Sequence, residues 1–206
     1  MIKVQGNLSR SLFLACSGGI DSMAALDFLS RNHTINIAFF DHNTPTSKQA
    51  LEFVSKQCKD YKCGFTYGKI TRERKPRESQ EEYWRNERYK FFNTLPGQVV
   101  TGHHLDDCVE TWVWSSMHGT GKIIPHINKN VIRPFRLNKK KDLKLWCELK
   151  SVPFLEDTTN KDITFTRNYI RHKLMPHALT VNPGLHKVIK KKVISDVRTK
   201  RTIYNI

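Results

Sequence analysis

The sequence predicts an α/β fold, a doubly wound and mainly parallel sheet with a small helical C-terminal extension. Three observations predict it. Short continuous apolar runs alternate with amphipathic stretches through the first half of the chain, as strands buried on both faces alternate with covering helices. A turn of small residues, Ser17-Gly18-Gly19-Ile20-Asp21-Ser22, follows the first such run directly. Beyond Pro125 the alternation stops and basic, helix-forming residues dominate. The expected division is residues 1–135 for the sheet domain and 136–206 for the extension.

In chain order, Leu12 to Cys16 is a short apolar run of the kind found in a central strand. Met23, Ala24, Leu26 and Leu29 give the following helix its apolar face, ending near Asn32. Ile35 to Phe40 is a second buried strand, closed by the polar Asp41 to Pro45. Thr46 or Ser47 caps a helix through about Cys58. Gly64 to Ile70 reads as a third strand, and Ser79 to Asn93 as a helix after a basic segment. Gln98 to Thr101 is the fourth strand. Asp106 to Met117 is a helix whose Val109, Trp112, Val113 and Ser116 are spaced to pack on the sheet. Arg133-Pro134-Phe135 is an extended piece, Lys139 to Lys150 a helix, and Arg167 to Met175 a helix stopping at Pro176. The basic final twenty residues are either a nucleic-acid-binding helix or a solvated, frayed end.

Charge bounds the function. Thirty-five Lys and Arg against nineteen Asp and Glu give +16, which favours a polyanionic partner, nucleic acid above all. No apolar run approaches the ~20 residues of a transmembrane helix, and no signal peptide is expected. Cys16, Cys58, Cys63, Cys108 and Cys147 contain no Cys-x-x-Cys pair, which argues against a zinc ribbon and fits a reducing, cytoplasmic setting.

The chemistry concentrates at two places. A strand, a glycine-containing turn and a helix N-terminus form a phosphate cradle: the backbone approaches oxyanions closely and aims free N–H groups at them. Asp21 would repel phosphate unless a divalent cation lay between, so it marks either Mg²⁺ or a tightly capped turn. No Gly-Lys-Ser/Thr follows, which excludes a Walker A loop, and Gly-x-Gly-x-x-Gly is absent. The hexapeptide resembles the PP-loop of the N-type ATP pyrophosphatases, which implies cleavage of ATP between its α- and β-phosphates. The second place is Thr101-Gly102-His103-His104-Leu105-Asp106-Asp107-Cys108-Val109-Glu110-Thr111, at the end of the fourth strand where open α/β sheets bind ligands. Asp107 and Glu110 share a helix face, suited to a metal or an ammonium group, or to capping the helix.

Ordered motifs extend the resemblance. Thr101 to Thr111, Arg85-Asn86-Glu87-Arg88-Tyr89, Gly119-Thr120-Gly121, Arg133-Pro134, Glu156-Asp157-Thr158-Thr159-Asn160 and Arg167-Asn168-Tyr169-Ile170-Arg171 are similar to segments of the tRNA(Ile)-lysidine synthetases. This resemblance implies a ligase that uses ATP and Mg²⁺ to adenylate the wobble cytidine of an isoleucine tRNA with a CAU anticodon. Free lysine then displaces AMP. It implies that Ser17, Gly18, Gly19, Ile20, Asp21, Ser22, His42, Gly102 and His103 bind ATP, with Asp21 near Mg²⁺. Arg85, Asp107 and Glu110 would recognise lysine, and Arg167 and Arg171 would stabilise developing negative charge. Lys139, Lys140, Lys141, Lys190, Lys191 and Lys192 are the candidate RNA contacts. Two departures stand out. Asp41-His42-Asn43-Thr44-Pro45 replaces a His-Gly-Leu-Arg-like segment, and the chain has the length of a short form without C-terminal domains. A PP-loop tRNA thiolase and a non-catalytic tRNA- or nucleotide-binding relative remain the alternatives. Many such thiolases use paired cysteines or an iron–sulfur cluster, for which the cysteines here are badly placed.

Overall fold

A computed structural model describes residues 2–156 and 162–203, with side chains through residue 197. Of the acidic Glu156-to-Asn160 motif, Asp157, Thr158, Thr159 and Asn160 lie outside the described residues, as do the side chains of Arg198, Lys200 and Arg201.

The strands are β1 (Ser11–Ala15), β2 (Thr34–Asp41), β3 (Gly64–Lys69), β4 (Val99–Val100), β5 (Ile127–Asn128) and β6 (Val131–Ile132). They form one sheet in the order β3-β2-β1-β4-β6-β5, parallel except for β5. Phe13 at the centre of β1 pairs with Asn36 on one side and Val99 on the other, so the turn after β1 emerges at the middle of the sheet. Here β1 runs next to β2 on one side and β4 on the other, and the crevice at such a reversal of winding is where open α/β sheets bind ligands.

Alternate residues of the strands bury against different layers. Leu12, Leu14, Ile35 and Ile37 join a core with α1 (Ile20–Ser30) and α2 (Ser47–Asp60), and Leu143 and Cys147 of α5 (Lys140–Lys150) complete it. Phe13, Ala15 and Ala38 face α3 (Gln80–Thr94) through Phe92 and Leu95. Ser79 caps α3, its hydroxyl accepting from the Glu82 N–H at 3.1 Å.

The doubly wound sheet expected from sequence is present, with differences beyond β4. A two-residue hairpin, β5–β6, adds an edge that was not expected, and Pro134 and Phe135 form a turn rather than an extended piece. Helix α4 (Leu105–Met117) packs chiefly on α8 (Leu185–Ile203), since β4 and β6 offer only two residues each to cover. Leu185, Ile189 and Val193, four apart, form the buried stripe of α8, so the described part of the basic tail is a packed helix rather than a frayed end. The helix expected to stop at Pro176 continues. After α6 (Thr166–Tyr169) a π-helical turn, Ile170–Leu174, leads into α7 (Met175–Val181), with Pro176 just past the junction, where the wider turn has already left the regular α-helical ladder that proline interrupts.

Candidate active site

The turn after β1 has the geometry of an oxyanion cradle. Gly18 sits at φ +84°, a conformation that strains any L side chain, and an added Cβ would meet Phe53 at 3.0 Å and Val54 at 3.2 Å. Gly19 caps α1 with its backbone, and the Ser22 hydroxyl donates back to the Gly19 carbonyl at 2.8 Å. The hydroxyl of Ser22 is thus used to shape the turn, while Ser17 is exposed beside it. The Leu155 N–H donates to the Gly18 carbonyl at 2.9 Å, so the extension braces the loop from behind. Nothing in the sequence marks that contact, which joins residues far apart in the chain.

Gly102 sets the approach of the second segment to the first. A Cβ there would lie 3.0 Å from the Asp21 carbonyl oxygen, so only glycine lets the end of β4 close on the loop without a shift. Asp21 faces His104, with Oδ2 at 3.6 Å from Nε2, and its other oxygen is buried with no hydrogen-bond partner among the described residues. His104 is buried and caps α4, its Nδ1 accepting from the Asp107 N–H while Asp107 Oδ2 accepts from the His104 N–H at 3.0 Å. Burial opposes its protonation, but Asp107, Asp21 and Asp106 together hold its pKa above the ordinary value. Asp106 extends the chain to α8 by accepting from His186 at 3.0 Å, and its pKa falls to about 2: burial opposes that, and the bonds from His186 and the Lys140 N–H outweigh it.

Asp107 and Glu110 do share one face of α4, and both are buried. They are not open to solvent. Arg171 clasps Glu110 through Nε at 2.7 Å and Nη2 at 2.9 Å, and Arg167 Nη2 donates to Asp107 Oδ1 at 2.5 Å. Burial pushes the Asp107 carboxyl up, yet His104 and Arg167 hold it well below the usual carboxylate range. The extension thus brings both late arginines onto the two carboxylates.

Opposite them, α3 supplies an aromatic and cationic wall. Trp84 lies between His42, at 5.5 Å, and Phe165, at 5.9 Å. His42 has a buried Nδ1 without a partner, and burial followed by the Arg88 charge lowers its pKa to about 4. His103 accepts from or donates to the Thr101 hydroxyl at 2.7 Å, and burial keeps it neutral. Arg85 lies 4.8 Å from the centre of the Tyr89 ring, making no ion pair with Asp107 or Glu110. The aromatic stack was not legible in sequence, since its three members come from separate elements.

The basic residues divide into two places. Lys140, between Lys139 and Lys141 at the start of α5, is tied through its N–H to Asp106 at the start of α4. Lys191 and Lys192 instead line an open groove with Lys122 and Gly121, beyond the other end of α4. Lys190 is on the same helix, partly buried. Among the described residues no cluster of three or more His, Cys, Asp or Glu side chains is placed to hold a metal ion, and no helix is long and apolar enough to cross a membrane.

A family model described as the PP-loop domain matches residues 2–178. The chain belongs to the PP-loop domain family. Within it, this PP-loop chain is similar to the tRNA(Ile)-lysidine synthase of Thermosipho africanus, with 32% identity over 86% of this chain and 46% of that protein. The tRNA(Ile)-lysidine synthase of Buchnera aphidicola subsp. Schizaphis graminum is 35% identical over 84% of this chain and 43% of its own length. The chain therefore spans a little under half the length of these two curated relatives. Its fold is also that of the NH3-dependent NAD synthetase of Campylobacter jejuni, with a TM-score of 0.50 and 16% identity over 92% of this chain and 86% of that one.

Proposed function

We propose that this PP-loop protein ligates lysine to the wobble cytidine of an isoleucine tRNA with a CAU anticodon, through an adenylated RNA intermediate. The single observation that supports this most is the convergence of the glycine-rich cradle, Asp107, Glu110 and two arginines on one crevice, in a chain whose relatives are named for that reaction.

The roles follow from chemistry. The first turn of α1 and Ser17 to Ser22 receive the phosphates of ATP. Gly102, His103 and His42 border the nucleotide, His42 offering the unpartnered Nδ1. Mg²⁺ fits Asp21, whose orphaned Oδ1 supplies one carboxylate ligand, as this ion is usually held by one or two carboxylates and substrate phosphates. Bound there, it would offset charge on the leaving pyrophosphate. Asp107 and Glu110 receive the lysine, with Arg85 on the opposite wall. Arg167 and Arg171 occupy those carboxylates until lysine competes for them, and then turn to the charge building at the α-phosphate. Residues 136–206 act as an extension that completes the site through these arginines and offers Lys139 to Lys141 and Lys190 to Lys192 to RNA phosphates.

The intermediate is testable without lysine. With Mg-ATP labelled in the adenosine and the CAU tRNA, the expected result is pyrophosphate release matched by label on the RNA, and loss of both in Asp21→Asn. Pyrophosphate release with no label on the RNA would remove the adenylated intermediate from the account.

A further inference from the structure

Arg88 has no assigned role in the ligation, and its surroundings are unusual for an arginine. Its Nε is buried without a partner, and no nitrogen of its guanidinium makes a hydrogen bond to any described residue. Arg85 only rests on the Tyr89 ring, and Arg133 also has a buried Nε without a partner, but three neighbouring arginines make hydrogen bonds through their other nitrogens. Arg167 and Arg171 hold Asp107 and Glu110, and Arg133 donates to the Pro125 carbonyl and the Tyr89 hydroxyl, both at 2.8 Å. The Tyr89 ring lies 5.9 Å from Arg88, with Arg85 and Arg133 also against it.

The charges acting on Arg88 are mostly of its own sign. Burial lowers its pKa most, the phenol of Tyr89 opposes, and Arg85, Arg167 and Arg133 lower it further, to about 10. A desolvated guanidinium among three others, without a carboxylate bound to it, is costly unless an anion completes it. Its position is suited to one. Trp84, one helical turn before Arg88 on α3, packs on His42 just after β2 at 5.5 Å, and the phosphate cradle rises from the neighbouring β1.

We infer that Arg88 forms the floor of a phosphate subsite in the crevice, separate from the backbone cradle of the Ser17-to-Ser22 loop, with Arg85 at its rim. The forked donors of arginine match two oxygens of a phosphate group. Two sources present that chemistry, the nucleotide and the RNA backbone beside the target base. The inference deepens the proposed reaction but is tested apart from it, since phosphate binding is measured without turnover.

The experiment is thermal unfolding of the wild type, Arg88→Gln and Arg88→Lys, with and without inorganic phosphate. A ligand that binds only the native state raises the melting temperature, so Arg88→Gln is expected to lose about half or more of the phosphate-dependent rise. In anion-free buffer it should melt no lower than the wild type, because it removes a partly buried charge that no carboxylate pairs. Arg88→Lys should keep part of the response. Equilibrium binding of metal-free ATP and of an anticodon stem-loop RNA then separates the sources. Weakened ATP binding assigns the subsite to the nucleotide, and weakened RNA binding assigns it to the backbone. Full phosphate response in Arg88→Gln, with a lower melting temperature in anion-free buffer, would show a packing role and overturn the inference. A wild type that transfers no lysine yet shows the Arg88-dependent response would sink the proposed reaction and leave the subsite standing.

Discussion

At the scale of residues, the crevice is organised by where charge is tolerated. His42 is kept neutral by burial and by Arg88, with a pKa of about 4 against an ordinary value near 6.5. In the unfolded chain it takes up a proton first as pH falls. The native state therefore loses stability between about pH 6.5 and pH 4 and loses nothing from this group above that window. The shift corresponds to about 3 kcal/mol in full. His42→Gln should remove that part of the acid slope, measured as the difference between denaturation midpoints of the two proteins across the window. Identical slopes would contradict a neutral, buried His42. His103 contributes in the same direction and His104 in the opposite one, so the difference between the two proteins, not the curve of either, carries the information.

At the scale of elements, legibility in the sequence followed distance along the chain. The phosphate cradle was readable because its glycines, its serines and the helix they start are consecutive. Asp107 and Glu110 were readable as a pair because i and i+3 share a helix face. Their pairing with Arg167 and Arg171 was not, since about sixty residues intervene and only the course of α6 and the π-helical turn brings them together. Arg88 lies on a helix rich in acids, Glu81, Glu82 and Glu87, where a surface ion pair would be the ordinary fate of an arginine. Glu87 is instead taken by Arg72 and Thr71, and Arg88 lies against the Tyr89 ring with its Nε buried. The hairpin β5–β6 has too few residues for any periodicity to show. The engagement of Arg167 yields a prediction that belongs to this scale. If its guanidinium stands where the lysine ammonium will, Arg167→Ala should lower the KM for lysine several-fold and lower kcat about 100-fold, the cost of one lost donor to developing charge. A raised KM with unchanged kcat would place Arg167 in lysine recognition instead.

At the scale of the whole molecule, the sheet provides the crevice and segments after residue 136 reach back to it. Leu155 braces the phosphate loop, α5 fills the core behind α1, and α8 is anchored on α4 by Leu185, Ile189 and Val193 while carrying lysines on its outer side. The charge of +16 was the bulk signal for a polyanionic partner, and the structure distributes its lysines to both ends of α4. Contacts of that kind bring affinity without sequence choice. In the proposed ligation, choice of the cytidine would need contacts to the base itself. The decisive measurement is transfer of radiolabelled lysine to the CAU isoleucine tRNA by the purified chain with Mg-ATP. The expected result is label in the RNA that requires ATP, disappears in Asp107→Asn and disappears when the wobble cytidine is replaced by uridine. Pyrophosphate release on the same tRNA with no lysine incorporated would contradict it, keeping the phosphate chemistry of the loop and rejecting lysine as the nucleophile.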